Sequence, residues 1–309
     1  MTSLAPVPLA GASRIVFLGT PEIAVPYLEA LVKNGFNVEL VVTRPDVRRA
    51  RGNEVSASPV KIAAQKLGIQ VTHDPSDVLK IATSDSSLLG VVVAFGEVIS
   101  TEILSRVPMI NVHFSLLPRW RGAAPVERAI LAGDDVTGVC IMRVVTNLDE
   151  GEVFVQREVV IDPEQTATDL KERLNAHGVE MLVSSLKTGL GDGVPQFGEA
   201  LYAKKIRSSD LKIDWRESVE HISRQVRLGG AFTFVSGRRV KILKVKKIIG
   251  VSPNFAPGEI AELGKSVCVV AAGNGSISIE QVQPEGKAVM HVEQWLNGAR
   301  LTRESVFGS

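Results

Sequence analysis

The sequence lacks most of the features that would assign it at once to a class of protein. It contains no run of 18 apolar residues, so no membrane-spanning helix is predicted. Its two cysteines, Cys140 and Cys268, are far apart and lie in no CxxC pair, so neither a disulfide framework nor a cysteine zinc site is indicated. The opening MTSLAPVPLAGAS has neither a basic start nor a continuous apolar segment, and no secretory signal is predicted. We therefore expect a cytoplasmic protein.

Several catalytic and nucleotide-binding motifs are missing as well. Gly19 stands alone after the first predicted strand, without a GxGxxG pattern, which disfavours nicotinamide or flavin binding. There is no GxxxxGK[ST] loop for a nucleoside triphosphate and no GxSxG elbow for a hydrolase serine. The five histidines show no HxxxH spacing, so no metal site is expected.

What is present suits a folded protein of two domains. The 309 residues exceed the usual length of a single core, and 45% of them are hydrophobic. The net charge of +1 is unevenly distributed. Residues 201–309 hold 17 Lys and Arg against 10 Asp and Glu, a net of +7, whereas residues 1–200 hold 18 against 24, a net of −6. The basic C-terminal third is a candidate for phosphate contact, although such a surface can equally serve solvation.

The first two thirds of the chain predict an α/β fold with a mostly parallel, Rossmann-like sheet. RIVFLG, NVELVVT, LLGVVVAF and MINVH read as buried strands, and helices are expected between them. Thr20-Pro21-Glu22 is expected to cap the first helix. A later strand pair is predicted at 137–145 and 152–161, followed by a long helix at 166–186.

Beyond the Gly- and Pro-containing segment TGLGDGVPQFGEA, the pattern changes to short strands. Asn274-Gly275 is expected to form a hairpin turn, and Ser236-Gly237 separates two other strands. A small OB-like β-barrel is the economical interpretation. The expected organisation is a flexible N-terminal tail (1–13), a Rossmann-like catalytic domain (14–188), a linker (189–205) and a smaller OB-like domain (206–309).

The candidate catalytic residues lie at predicted strand ends. Asn111 and His113 are two residues apart on one strand, so their side chains share a face. Ligands bind at the carboxyl ends of strands in open parallel sheets. Asp149, in TNLDEG after the next strand, is placed by topology near the same edge, where its carboxylate can hold the imidazole. Together the three form a general acid–base group with an amide donor for an oxyanion.

Plainer readings exist for each of these residues. A single histidine at a strand end is more often a hydrogen-bonded structural residue, and Asp149-Glu150-Gly151 on its own suits an ordinary turn. Trp120, between two arginines, can stack on a base or anchor its loop in the core. The connection at 44–59 is rich in arginine, which suits either a solvated surface or a nucleic-acid backbone.

Over nearly the whole chain the sequence resembles the methionyl-tRNA formyltransferase family, within the wider group of folate-dependent formyltransferases. The resemblance is carried by RIVFLGTPE, TRPD, SPVK, VVVAFG, NVHFSLLPRWRGAAP, LDEG, IDW and QPEGKAVM. It implies a monomer that transfers the formyl group of 10-formyltetrahydrofolate to the amino group of methionyl initiator tRNA, without a metal. Amine attack is direct, with Asn111 and His113 stabilising the oxyanion and Asp149 assisting proton transfer.

The resemblance also implies the binding residues. Those for the folate are Ser115, Leu116, Leu117 and Pro118, with Phe95 and Gly96 lining the pterin pocket. Those for tRNA are the OB-like domain and the arginine-rich loop at 44–59, with Arg44, Arg48, Arg49 and Arg51. The sequence departs from the family pattern at Phe114, where many members have Gly, and at Glu150, where Thr is frequent.

Three other functions remain open at the level of sequence. The nearest is a formyltransferase of the same chemistry that acts on glycinamide ribonucleotide or an amino sugar. A nucleic-acid-binding module without catalysis would use only the basic barrel. A Ser/His/Asp hydrolase would need Ser115 to meet His113, which their closeness along an extended chain disfavours.

Overall fold

The computed structural model describes residues 4–7, 12–48, 55–82, 87–250 and 254–308. The chain divides into two compact units. The first comprises Met1–Pro125, Val136–Val160 and Lys171–Ala203, and the second comprises Val126–Asp135, Ile161–Leu170 and Lys204–Ser309. The second unit thus takes in two short segments from within the region predicted to be Rossmann-like.

The first unit is built on a seven-stranded sheet with the order β10-β9-β7-β6-β1-β2-β5. The five strands from β7 to β5 are parallel, and the edge pair β9 and β10 is antiparallel. Its strands are β1 (Arg14–Gly19), β2 (Asn37–Val42), β5 (Val71–Thr72), β6 (Leu88–Val93), β7 (Met109–His113), β9 (Val136–Arg143) and β10 (Val153–Val160). The predicted mostly parallel, Rossmann-like sheet is confirmed, whereas β5 was not predicted.

Short strand pairs accompany this sheet. β3 (Val47–Arg48) pairs with β4 (Val55–Ser56) inside the arginine-rich connection, which the sequence pattern had not indicated. β8 (Arg121–Gly122) pairs in parallel with β11 (Tyr202–Ala203).

The helices in chain order are α1 (Val25–Lys33), α2 (Pro59–Lys66), α3 (Val78–Ile81), α4 (Thr101–Arg106), α5 (Pro125–Ala132) and α6 (Ala167–Thr188), with 3-10 turns at Glu22–Ala24 and Pro75–Asp77.

The centre of the sheet is buried on both faces, as continuous apolar strands require. Every residue of β6 is buried. Gly90 in that strand lies beneath Met109, and a Cβ added at Gly90 would clash with the Met109 side chain. The central strands are therefore packed closely enough to hold the residues at their carboxyl ends in fixed positions.

The predicted cap at Thr20 is wrong. Pro21 occupies the N-cap position of the 3-10 turn, and its side chain makes no capping hydrogen bond. The Thr20 hydroxyl instead donates to the carbonyl of Phe95 at 3.0 Å. This long-range hydrogen bond joins the turn after β1 to the turn after β6.

The second unit contains an antiparallel sheet with the order β12-β13-β16-β15-β14, and β17 pairs with β16. This sheet curls into a half-barrel, which agrees with the predicted OB-like domain. Its elements are α7 (Ser208–Leu211), α8 (Val219–Arg227), β12 (Phe232–Val235), β13 (Arg238–Ile249), β14 (Ile260–Leu263), β15 (Cys268–Ala272), β16 (Gly275–Pro284), β17 (Met290–His291) and α9 (Val292–Ala299). Of these strands, β14 and β17 were not predicted.

Two hairpins of this sheet show where turn chemistry predicts well and where it does not. Ser236 and Gly237 join β12 to β13 with φ of 50° and 68°, as a type I′ turn requires. The β15–β16 turn consists of Gly273 and Asn274, one residue earlier than predicted, since Ala272 pairs with Gly275. Asn274 Oδ1 accepts the backbone N–H of Val219 at 2.8 Å, so this side chain serves the first turn of α8.

Candidate active site

The candidate site lies where the central strands of the first unit end. β6 and β7 are parallel neighbours, so their carboxyl ends meet at one edge of the sheet. β7 ends at His113, and Asn111 stands two residues earlier on the same face, half-buried. β6 is followed by Ala94, which has a φ of 47°. A left-handed conformation in a non-glycine residue is uncommon and clusters at functional sites.

Both ring nitrogens of His113 face acceptors. Nε2 lies 2.8 Å from the carbonyl oxygen of Trp120, and Nδ1 lies 3.7 Å from Asp149 Oδ2. A carbonyl oxygen can only accept, so Nε2 carries a proton. The ring is 6% exposed and Asp149 is 12% exposed, which limits the screening of any charge between them by water. The imidazole ring therefore lies between a carbonyl oxygen and a carboxylate.

Asp149 sits in the turn between β9 and β10 with a φ of 52°. Its Oδ2 accepts the backbone N–H of Gly122 at 2.8 Å, besides facing His113. Gly151 packs closely against the end of β9, and a Cβ added there would clash with the Arg143 carbonyl oxygen. The turn is therefore pressed against the sheet, and glycine is required at 151 by this close approach.

Ser115 to Pro118 follow His113 directly. Ser115 is fully buried and its Oγ has no hydrogen-bond partner among the described residues, while its carbonyl accepts from the Cys140 thiol at 2.7 Å. Leu116 packs on Gly138, Leu117 is buried, and the Leu117–Pro118 bond is cis. Because Ser115 Oγ makes no bond to His113, the arrangement is not that of a nucleophilic serine with its base.

The Phe95 and Gly96 segment lies beside this edge, but its two residues differ. The Phe95 side chain is buried in the hydrophobic core of the unit, and the Phe95 backbone carbonyl accepts a hydrogen bond from the Thr20 hydroxyl. Gly96 is exposed and has a φ of 80°. Among the predicted folate residues, Gly96 is exposed, Leu116 and Pro118 are half-buried, and the others are buried.

Of the four arginines predicted to bind tRNA, Arg44 and Arg48 lie within the described residues. Arg44 is about half-exposed, and its Nε lies 3.3 Å from Glu97 Oε1. Arg48 lies in β3. Arg49 and Arg51 lie outside the described residues.

A hydrogen-bonded network beside the Asp149 turn was missed by the sequence analysis. Arg121 Nη1 donates to Glu150 Oε1 at 2.9 Å, and Arg121 Nη2 donates to Gln196 Oε1 at 2.8 Å. Asn147 and Tyr202 also donate to Glu150. Gln196 and Tyr202 belong to the segment predicted to be a linker. Nothing local in PQFGEA marks Gln196, because its partners are 45 to 75 residues away.

Burial also governs the two cysteines. It raises the pKa of the Cys140 thiol to about 12, and it raises the pKa of the Cys268 thiol to about 12.

Within the described ranges, no group of three or more His, Cys, Asp or Glu side chains is arranged to hold a metal ion. Among the described residues, no helix is both long enough and apolar enough to cross a membrane.

Comparison with known protein families assigns the class. The family model described as "Formyl transferase" matches residues 13–186, and the one described as "Formyl transferase, C-terminal domain" matches residues 205–300. The first match covers the sheet whose strand ends carry Asn111 and His113, and the second covers most of the curled sheet. The chain thus belongs to the formyl transferases.

Curated relatives narrow this class. Proteins named methionyl-tRNA formyltransferase from Jannaschia sp. and Arthrobacter sp. are each 39% identical, over 95% of this chain and 99% of theirs. The one from Coxiella burnetii is 38% identical over 96% of this chain and 99% of its own. The chain belongs to the methionyl-tRNA formyltransferase family.

Solved structures share the fold at lower identity. A sugar 3N-formyl transferase, WlaRD, determined with dTDP and 5-N-formyl-THF, has a TM-score of 0.64 and 19% identity, with 90% of this chain and 99% of that chain covered. HypX from Aquifex aeolicus, in complex with tetrahydrofolic acid, has a TM-score of 0.61 and 15% identity, with 92% of this chain and 47% of that chain covered.

Proposed function

We propose that the protein transfers the formyl group of 10-formyltetrahydrofolate to the amino group of methionyl initiator tRNA, producing N-formylmethionyl-tRNA for translation initiation. The observation that carries the proposal is the meeting of His113 with Asp149, beside Asn111, at one sheet edge of a chain that is 39% identical to proteins with this name. The match of residues 205–300 to a formyl transferase C-terminal domain supports a role for the basic C-terminal third of the chain in binding the tRNA.

The chemistry of the site fits acyl transfer without a covalent enzyme intermediate. The α-amine of methionine attacks the formyl carbon, and the carbonyl oxygen gains negative charge. The Asn111 amide and the His113 imidazolium are donors for that oxygen. Asp149 keeps His113 oriented and helps a proton move from the attacking nitrogen to the departing folate nitrogen. Ser115 is not a nucleophile in this scheme.

Residues after His113 suit the folate donor. The buried Ser115 hydroxyl, which has no hydrogen-bond partner in the part of the chain that the structure describes, is a polar group available to a ligand or water that reaches this segment. Leu116, Leu117 and Pro118 supply apolar surface, and the exposed Gly96 lets a flat ring approach the backbone closely. The arginines at 44–51 would meet the phosphates near the acceptor end of the tRNA.

A formyltransferase that acts on glycinamide ribonucleotide or an amino sugar would need the same three groups. The tRNA substrate is favoured because the relatives with that name cover 95% of this chain, including the second unit. The solved sugar enzyme shares only 19% identity, which is evidence of a common fold alone.

One assay tests the proposal. The protein is incubated with 10-formyltetrahydrofolate and aminoacylated initiator tRNA, and formylmethionine is measured after mild deacylation. Parallel reactions contain glycinamide ribonucleotide or a nucleotide-linked amino sugar. Formylation of the tRNA alone supports the proposal, and formylation of either alternative acceptor in its place would refute it.

A further inference from the structure

Gln196 connects the turn that carries Asp149 to a buried arginine. Its Nε2 donates to the carbonyl oxygens of Asp149 and Gly151, both at 2.8 Å. Its Oε1 accepts from Arg121 Nε at 3.0 Å and from Arg121 Nη2 at 2.8 Å. Each hydrogen-bonding position of this carboxamide is therefore used, and two of the four bonds end on the residues that flank Glu150.

Arg121 determines which way the carboxamide points. A guanidinium group has donors and no acceptor, so Oε1 must face it and both amide hydrogens must face the turn. The Arg121 side chain is 12% exposed and is also held by Glu150. A rotation of the Gln196 amide by 180° would place its NH2 against the guanidinium and its oxygen against two carbonyls, which would be repulsive on both sides.

The turn needs such support because its conformation is unfavourable in isolation. Asp149 has a positive φ, which costs an L-residue of order 1 kcal/mol or more, and the Asp149 carboxylate faces His113 only when that conformation is kept. Each of the two carbonyls belongs to the peptide plane that follows its residue. The hydrogen bonds from Gln196 therefore fix the peptide planes after Asp149 and after Gly151. Holding both therefore limits rotation of the backbone that presents the carboxylate.

We propose that Gln196 is a positioning residue for formyl transfer, which holds the 149–151 turn so that Asp149 stays directed at His113. The inference rests on the proposed function and extends it to a segment that the sequence pattern assigned to a linker. Val194 and β11, on either side of Gln196, pair with Val153 and β8, so the segment is anchored to the same unit.

Gln196→Glu is the most specific test. The variant keeps the size of the side chain and its pairing with Arg121, but it presents an oxygen to the two carbonyls in place of the NH2 group. We expect kcat to fall by about 10- to 100-fold, as a small displacement of a catalytic group does, with KM for both substrates changed by less than about twofold. Gln196→Met, which removes the same donors without adding charge, should lower kcat similarly if Gln196→Glu does not fold.

A double-variant cycle separates positioning from general destabilisation. If Gln196 acts through Asp149, then adding Gln196→Glu to Asp149→Asn should lower the single-turnover rate by no more than about twofold further. Asn34→Asp is the matched control, because it makes the same amide-to-acid change in the same unit, where Asn34 Nδ2 donates to the Ala30 carbonyl on the surface. Its kcat should equal that of the unmodified protein.

Each outcome bears on one of the two proposals. An unchanged kcat in the folded Gln196 variants, or a full multiplicative loss in the Asp149→Asn background, would overturn the positioning role. Near-normal transfer by Asp149→Asn alone would instead count against the proposed function.

Discussion

His113 Nδ1 lies 3.7 Å from Asp149 Oδ2, across 36 residues of sequence, while the opposite ring nitrogen is bound to the Trp120 carbonyl. The carbonyl fixes the ring plane, and the carboxylate supplies charge on the remaining side. The ring thus has a hydrogen bond at Nε2 and a carboxylate facing Nδ1. The contact at Nε2 agrees with the interpretation of His113 as a hydrogen-bonded structural residue, and its catalytic role stays a prediction.

Replacement of His113 by Ala or of Asp149 by Asn is expected to reduce formyl transfer by about 10³-fold, because the first removes the cationic donor and the second removes its counter-charge. Single-turnover rates measure the effect, and circular dichroism checks that the fold is retained. Asp149→Asn keeps an oxygen to accept from Gly122, so its fold should persist. Near-normal rates in both variants would exclude the assignment.

Replacement of Asn111 by Ala is expected to lower kcat by about 10²- to 10³-fold with little change in the KM for tRNA, because a donor to the developing oxyanion acts mainly in the transition state. Asn37→Ala is the control, since Asn37 is at the amino end of β2, where its amide contacts Glu39. A rise in KM with unchanged kcat would indicate that Asn111 only binds substrate.

Removal of two loop charges, in an Arg48→Ala and Arg49→Ala double variant, is expected to raise the KM for tRNA and to flatten its dependence on salt. The slope of log affinity against log salt should fall by roughly one unit for every phosphate that an arginine no longer neutralises. Arg106→Ala, on the exposed side of α4, is the control for a change in net charge. A slope identical to that of the unmodified protein would exclude these arginines from tRNA binding.

Both cysteines are expected to resist alkylation at pH 8 in the folded protein, because burial raises the pKa of each thiol to about 12 and also blocks access. In urea both should react, since an exposed thiol has a pKa of about 8.5. Because each thiol has a higher pKa in the folded protein than in the unfolded chain, its burial favours the folded state in full below the unfolded pKa of about 8.5. This contribution is lost as the pH rises from there toward the folded pKa of about 12. Mass spectrometry of the labelled protein gives the number of modified thiols, and rapid labelling of the native state would contradict the burial.

Thr233→Val is expected to destabilise the second unit by about 1–3 kcal/mol, because it leaves a buried indole N–H without an acceptor. Trp215 Nε1 donates to Thr233 Oγ1 at 3.0 Å, and both residues are buried. The midpoint of urea unfolding, followed by tryptophan fluorescence, measures the loss. Thr302→Val, at an exposed position, should leave the midpoint unchanged; an equal shift in both variants would refute the explanation.

Local patterns predicted those parts of the fold that depend on local physics. Continuous apolar runs indicated the central strands, and Ser236-Gly237 indicated a turn whose two residues do have positive φ. The position of His113 followed from the end of one such strand. In each case the burial or backbone preference of a few consecutive residues was sufficient.

The remainder depended on distant partners, which single-sequence reasoning does not see. Thr20 donates to a carbonyl 75 residues away instead of capping its own turn, and Asn274 accepts from the first turn of α8 across 55 residues. Gln196 is the clearest case. Its role depends on the guanidinium of Arg121 and the carbonyls of Asp149 and Gly151, and the sequence next to Gln196 does not indicate any of these contacts.

The pairing of β11 with β8 bears on how the chain can be divided for experiments. A fragment ending after α6 would keep Asn111, His113 and Asp149, yet it would lose the strand that pairs with Arg121–Gly122. Gly122 is also the residue whose N–H binds Asp149. An isolated N-terminal fragment should therefore end after Ala203. A boundary within the Gly- and Pro-containing segment TGLGDGVPQFGEA, where the sequence pattern places the linker, would remove β11.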